Sequence, residues 1–268
     1  MPLPTTDFFE RTLRAPYDAL RQSDQARQHL SGVFRFDGQD LRSDDPIELF
    51  DVLLSSEEAA HLLMVFDGSR VHEQEQHIVG LDSAPPGTYF TTVNADVVHE
   101  GHKNRVGIYD EVDGPALYVE DLLENENAED VGGEEVAAAG MAVHVDHFYL
   151  RRQAPDGLGT VAFALCAITA HCLGYRRISL IAGGGKGHDA NMIGYRFWPK
   201  LGFDAPLEEG ETEEAPHLAN CRTVQDVLAI DAAWWESDGT QRWMEFDLAA
   251  ESPSWQMLLD YLQVKELI

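Results

Sequence analysis

Between residues 158 and 173 the chain reads "LGTVAFALCAITAHCL", with Leu158, Val161, Leu165, Ile168 and Cys172 at helical spacing. That pattern predicts a long helix with a buried stripe. It is followed by "RRISLIAG", a short apolar run that reads as a buried strand, and by "HDANMIGYRFW", which reads as a second helix. That helix is expected to end or kink at Trp198, because Pro199 disfavours helical geometry in the residue before it. Gly202 then takes the left-handed cap, and "GFDAP" opens another strand.

Upstream, residues 6–28 carry Phe8, Phe9, Leu13, Tyr17 and Leu20 at roughly helical spacing, with an interruption near Pro16. "GVFRF" is a short strand that turns at Asp37-Gly38. "DPIELFDVLLSSEEAAHLLMVF" reads as a helix or helix pair, with Asp45 as cap and Pro46 in the first turn. Strand-like runs follow in "TYFTTVNADVVHE", "RVGIYDEV", "ALYVEDLL" and "GMAVHVDHFYL", with "DEVDGP" as a hairpin turn and "ENENAEDVGGEE" as a solvated loop. Near the end, "TVQDVLAI" begins a helix capped by Thr223, "RWMEFDL" is a strand, and "SPSWQMLLDYLQVKEL" is a helix capped by Ser252. The order predicts a mixed α/β sheet flanked by helices. Trp234, Trp235, Trp243 and Trp255 are expected to pack the C-terminal segment onto it.

Composition narrows the class. A chain of 268 residues with 44% hydrophobic content has ample length for a core, and no apolar run approaches the roughly 20 residues of a membrane span. The start, "MPLPTTDFFERTLR", lacks the basic beginning and apolar core of a signal peptide. Cys166, Cys172 and Cys221 form no disulfide or zinc spacing and are read as reduced core residues, so a cytoplasmic location is expected. Net charge is −28 and unevenly spread. No Lys or Arg occurs from Val106 to Leu150, and "EDLLENENAEDVGGEE" in that gap holds eight acids; "DAPLEEGETEEAP" is a second acidic stretch. Residues 151–200 hold seven basic residues against two acids, a net of +5 that leaves −33 for the rest. Such a field disfavours nucleic acid and anionic membranes, and its one basic block suits an anionic ligand.

That block carries the candidate chemistry. A strand ends at Leu150, Arg151 and Arg152 follow, and "QAPDGLGT" leads into the long helix. Helix N-termini present free N–H groups and partial positive charge, and glycines let a phosphate approach them. The same glycines also serve simply to turn a strand-to-helix corner. Other signals carry less. "GGGKGHD" lacks the Ser or Thr that follows the lysine of a phosphate loop. His99 and His102, like His144 and His147, are three apart, which on strands places each pair on opposite faces and disfavours a metal site. No serine lies in a Gly-x-Ser-x-Gly elbow.

The order of strand, glycine loop, helix, strand and helix, ending in "NMIGYRFWPKLGF", resembles the GNAT acyltransferase family over about residues 85–205. Asn191, Gly194, Phe197 and Leu201-Gly202-Phe203 fall on its common Asn-x-x-Ala-x-x-Leu-Tyr-x-x-Leu-Gly-Phe pattern, with Gly194 in the alanine place. The resemblance implies a GNAT-like mixed β-sheet core at 85–205. Residues 1–84 form an N-terminal helical extension with a short strand, and 206–268 a C-terminal extension packing on the core. It implies acetyl-coenzyme A or another acyl-coenzyme A as co-substrate, with the pyrophosphate on Gly157, Leu158, Gly159 and Thr160. Phe148, Leu150, Arg152 and Asn191 complete the implied coenzyme site. Ala154 stands where the family places Gln or Arg, and Trp198 where it places the tyrosine that protonates the leaving thiolate. Indole has no useful titratable proton, so the role passes to Tyr195, one helical turn earlier. In the family a general base often lies on the strand entering the loop; Asp146 takes that place here, and a plain surface aspartate is the alternative. The implied activity is acyl transfer to an amine, and the acidic surface implies a cationic acceptor. The competing reading is a GNAT-fold binding protein without catalysis that engages a basic protein.

Overall fold

The computed structural model describes residues 3–80, 83–100, 102–111, 140–189 and 191–268. The "ALYVEDLL" strand, the "DEVDGP" turn and the "ENENAEDVGGEE" loop fall wholly or mostly outside them. A π-helical turn, Phe9–Leu13, runs into helix α1 (Arg14–Gln22), so the interruption expected near Pro16 is a widened turn just ahead of it. Helix α2 (Asp24–His29) follows, capped by Ser23, whose hydroxyl accepts from the Ala26 N–H at 3.2 Å. Strands β1 (Phe34–Phe36) and β2 (Gln39–Leu41) form the expected hairpin. Its turn residues Asp37 and Gly38 have φ of 43° and 91°, which matches the twist of paired strands.

The next segment differs from the sequence expectation. Residues expected to begin a helix form a second hairpin, β3 (Pro46–Leu49) and β4 (Val52–Ser55). Ile47, Leu49 and Leu54 are its buried positions, and Phe50 and Asp51 take left-handed conformations at the turn. Asp45 caps no helix; its carboxylate accepts from the Arg42 N–H at 2.8 Å. The helix begins ten residues later as α3 (Ser56–Leu62), where Ser55 and Glu58 form a capping box.

The remaining order is β5 (Arg70–Gln76), β6 (Gly87–Val93), β7 (Asn104–Glu111), β8 (Gly140–His147), α4 (Leu158–Cys172) and β9 (Arg177–Gly185). Then come α5 (Gly194–Phe197), a 3₁₀ turn Trp198–Leu201, α6 (Val224–Asp238), β10 (Thr240–Asp247) and α7 (Pro253–Val264). The second helix is therefore much shorter than expected: Asn191 lies in a turn before it, and Trp198 marks its change to 3₁₀ geometry. Gly202 takes the expected left-handed cap at φ 97°. "GFDAP" makes isolated bridges, Asp204 to Glu245 and Pro206 to Thr223, in place of a strand. Ser252 precedes α7, yet its hydroxyl donates to the Asp247 carbonyl at 2.7 Å and leaves the helix N–H groups uncapped. Thr223 caps α6 in a box with Asp226. Replacing Thr223 with alanine is expected to cost about 1 kcal/mol in chemical denaturation, and a change below a few tenths would remove that role.

The main sheet has the order β10-β9-β8-β7-β6-β5-β1-β2. Only β8 with β9 and β5 with β1 run parallel; the other neighbours are antiparallel. The chain is thus a mixed α/β protein with a large, mostly antiparallel open sheet flanked by helices. Strand β5 pairs with β6, so the N-terminal strands extend the same sheet as the rest.

Alternation decides the faces. Val143 and Val145 of β8 join Ile178, Leu180, Met244, Phe246 and α4 in one apolar core, while Ala142, His144 and Asp146 point to the other face. Helix α4 is buried all round rather than along a stripe; Gly159 is its one part-exposed residue. Helices α1, α2 and α3 also pack on it, which explains why it carries no Asp, Glu, Lys or Arg. Trp235 and Trp255 are fully buried. Cys166 and Cys172 are buried free thiols and Cys221 is half-buried. Among the described residues no helix is long and apolar enough to cross a membrane.

Candidate functional site

Strands β8 and β9 pair in parallel over three positions only, Val143 to Val145 against Ile178 to Leu180. Beyond them each chain takes a different partner. Leu150, three residues beyond the end of β8, bridges to Val98, whereas Gly184 of β9 bridges to Ile193. The carboxyl ends of two parallel strands therefore diverge, and such a parting is where open α/β sheets commonly admit ligands.

Polar side chains gather at the β8 side of this parting. Arg105 of β7 donates to Asp146 at 2.6 Å and to the side chain of Gln76 at 2.7 Å, and its guanidinium lies 3.8 Å from the centre of the Tyr89 ring. The Nδ1 of His147 lies 3.0 Å from the same Asp146 carboxylate oxygen. Burial opposes ionisation of Asp146, but hydrogen bonds and charge from His147 and Arg105 outweigh it and bring the pKa down to about 2. An aspartate held so firmly ionised is a weak proton acceptor. What it does well is fix the ring of His147, with Nδ1 as donor. His147 was expected on the opposite face from Asp146; a bulge that sets Arg105 opposite His147 and Val106 opposite Val145 breaks the alternation at Asp146, and the two meet. Tyr149 continues the cluster: the His102 ring stacks on it at 4.5 Å, and its hydroxyl lies 3.9 Å from the sulfur of Met192 across the parting.

His144, the other histidine of β8, is fixed differently. Its Nδ1 meets the Ser179 hydroxyl at 3.0 Å and its ring stacks on Trp243 at 5.0 Å. Burial pushes its pKa down to about 4, so it is a neutral structural group near pH 7.

The glycine loop lies beside this cluster. Gly157 precedes α4 with φ 77°, and the Val161 N–H already bonds to its carbonyl at 2.9 Å. Phe148 and Leu150 close over Gly159: a Cβ there would sit 3.4 Å from the Phe148 ring and 3.3 Å from Leu150. Thus Phe148, Leu150, Gly157, Leu158, Gly159 and Thr160 are brought together, with Leu158 and Thr160 buried. Arg152 is exposed, and Arg151 is turned back along the preceding segment, donating to the Val98 carbonyl at 2.9 Å. The loop also touches both ends of the chain. Gln25 of α2 donates to the Asp156 carbonyl at 3.1 Å, and the Leu267 side chain lies 3.3 Å from where a Gly157 Cβ would be.

Two sequence candidates sit apart in other contacts. Asn191 donates to Asp189 through both its backbone and side-chain amides. Tyr195 is buried in the α5–α6 contact: its hydroxyl donates to the Glu236 carbonyl at 2.8 Å and its carbonyl accepts from the Trp235 ring N–H at 2.8 Å. Trp198 packs edge-on against Phe163 at 5.6 Å and Phe203 at 5.3 Å, and its ring also meets Phe148 at 6.1 Å. His99 and His102 occupy the loop between β6 and β7, not a strand, and their rings lie 5.0 Å apart. Among the described residues no group of three or more His, Cys, Asp or Glu is placed to hold a metal.

Sequence reasoning did not single out Arg105, Gln76, Tyr89 or Tyr149. One signal pointed to Arg105: it is the last basic residue before the 45-residue stretch without Lys or Arg, Val106 to Leu150. Comparison of the chain with protein-family models, with curated proteins and with solved structures finds no match in any of the three.

Proposed function

We propose that the chain is a GNAT-like N-acyltransferase that moves an acyl group from acyl-coenzyme A to a cationic amine. The observation that supports this reading best is the parting of β8 from β9, with the His147–Asp146–Arg105 set on one side and the glycine turn of α4 beside it. Gly157 and Gly159 add no side-chain atoms of their own over the turn, so a diphosphate would reach its backbone once the Phe148, Leu150 and Leu267 side chains beside it move aside. In the reaction the amine nitrogen forms a bond to the thioester carbonyl carbon and the carbon–sulfur bond breaks. His147 takes the proton the amine loses, and Asp146 and Arg105 position it. A thiol of ordinary pKa near 8.5 leaves near neutral pH with little acid assistance, so Tyr195 serves the reaction by holding α5 to α6. The acidic surface outside residues 151–200 would concentrate a cationic acceptor.

Calorimetry with acetyl-coenzyme A tests the reading first. Binding below millimolar concentration, weakened at least tenfold in Gly159→Leu, is expected; no binding and no thermal stabilisation at millimolar coenzyme would remove the enzyme reading. If turnover is found, His147→Gln should lower kcat by about 10²–10⁴ and flatten the acid limb of its pH profile. An unchanged profile would exclude His147 as the base. Tyr195→Phe should leave kcat within a few fold. A second reading, a binding protein for a basic partner, is favoured by the engagement of the Tyr195 hydroxyl with Glu236. It expects salt-sensitive capture of a cationic protein and no coenzyme binding.

A further inference from the structure

His61 of α3 is fully buried, and neither of its ring nitrogens has a hydrogen-bond partner. It sits beneath the N-terminal helices. From α1, the Tyr17 ring meets it edge-on at 6.2 Å, and Arg21 and Asp18 lie on the same helix. From the end of α2, the Leu30 carbonyl faces the ring without reaching hydrogen-bond geometry. On α3 itself Glu57 is the nearest carboxylate, 4.0 Å from Nε2, but it is committed to Arg21 through a two-point ion pair. Glu58 is engaged by the Ser55 cap. Helix α4 brings only the thiols of Cys166 and Cys172 and no charged side chain. A neutral imidazole is tolerated here, whereas an imidazolium would be a buried charge beside an arginine, offered the Leu30 carbonyl but no carboxylate unless Glu57 abandons Arg21.

We propose that residues 6–30 form an acid-released clasp, in which proton uptake by His61 detaches α1 and α2 from α3 and α4. The clasp covers the outer side of α4, and through Gln25 it reaches the Asp156 carbonyl at the glycine loop, so its release also uncovers that loop. Its other anchor is separate: the Thr6 hydroxyl lies 2.9 Å from His171 Nε2, and the Leu248 carbonyl lies 2.9 Å from its Nδ1. The inference does not depend on what the loop binds.

Burial holds the closed-state pKa of His61 at about 3, against an ordinary 6.5. The open state therefore binds the proton first as pH falls below about 6.5, and the closed state loses ground with each further step toward 3. From pH 6.5 to 5.0 the opening constant should rise roughly tenfold, while ordinary carboxylates stay largely ionised. Amide hydrogen exchange on the full chain, corrected for the intrinsic pH dependence of exchange, reads this directly. The expected result is a rise of about that size in peptides covering 9–30 that is lost in both His61→Phe and His61→Leu, whereas any rise in β9 and β10, on which the buried His144 packs, persists in the variants. Two variants are used because one can fail to fold, which far-ultraviolet circular dichroism reports. A pH-independent N-terminal opening, or an equal rise in the variants, would overturn the clasp.

Discussion

Replacing Phe163 with alanine is expected to lower unfolding stability by about 3–5 kcal/mol, among the largest effects available to a single core change here. Phe163 is fully buried in the middle of α4, and its ring meets Trp198 at 5.6 Å, Phe203 at 5.1 Å and Phe246 at 5.5 Å. It thus joins the central helix, the 3₁₀ turn after α5 and strand β10. Three rings from three elements converge on it, so little can collapse into the space an alanine leaves. Urea denaturation of the variant checks this. A loss under 1 kcal/mol would mean that the aromatic cluster repacks freely and that α4 is not fixed by it.

The second large effect is expected at Arg242 of β10. Its side chain is 7% exposed and pairs with Glu211, which is 10% exposed, inside one of the two acidic stretches. It also donates to the Pro206 carbonyl at 3.0 Å and to the Thr240 hydroxyl at 2.8 Å, and lies 4.9 Å from the Trp235 ring centre. Arg242→Ala leaves a buried carboxylate without its cation, which typically costs about 3–5 kcal/mol. The pair as a whole is worth much less than that, because both ions lost their water to form it. The double variant Arg242→Met with Glu211→Leu should therefore regain most of the loss. If the single and double variants are equally destabilised, packing of the arginine stem rather than the unpaired charge is responsible. The pair also shows that "DAPLEEGETEEAP" is not simply a solvated acidic surface: Glu211 ties it to the edge of the sheet.

Much of the architecture was legible because local chemistry and tertiary packing agree. The Asp37-Gly38 turn, the Thr223 cap of α6 and the Gly202 cap follow from a few residues each, and no distant contact opposes them. The segment from Asp45 to Phe66 was misread because two periods overlap in it. "PIELFDVLLS" holds enough apolar residues to imitate a helix, but Phe50-Asp51 can turn the chain, and burial of Ile47, Leu49 and Leu54 settles it as a hairpin. Strand β5 escaped because "RVHEQEQ" has one buried apolar residue, Val71. Its place comes from β6 and β1 on either side, which satisfy its backbone.

At the candidate site the division is sharper. The sequence by itself determined the glycine turn before α4, the +5 block around it and the apolar character of that helix, since each depends on neighbours within a few residues. Only the tertiary structure decided which groups meet there. Arg105 lies 41 residues from Asp146 in the chain, and register between β7 and β8 places their side chains in contact. His147 meets Asp146 because the β7–β8 register slips at Asp146, and Tyr195 is drawn to Glu236 because α6 packs beside α5. Residue type and spacing say what a side chain is able to do. Its protonation state and partners depend on burial and on distant strands, which no local window of sequence contains.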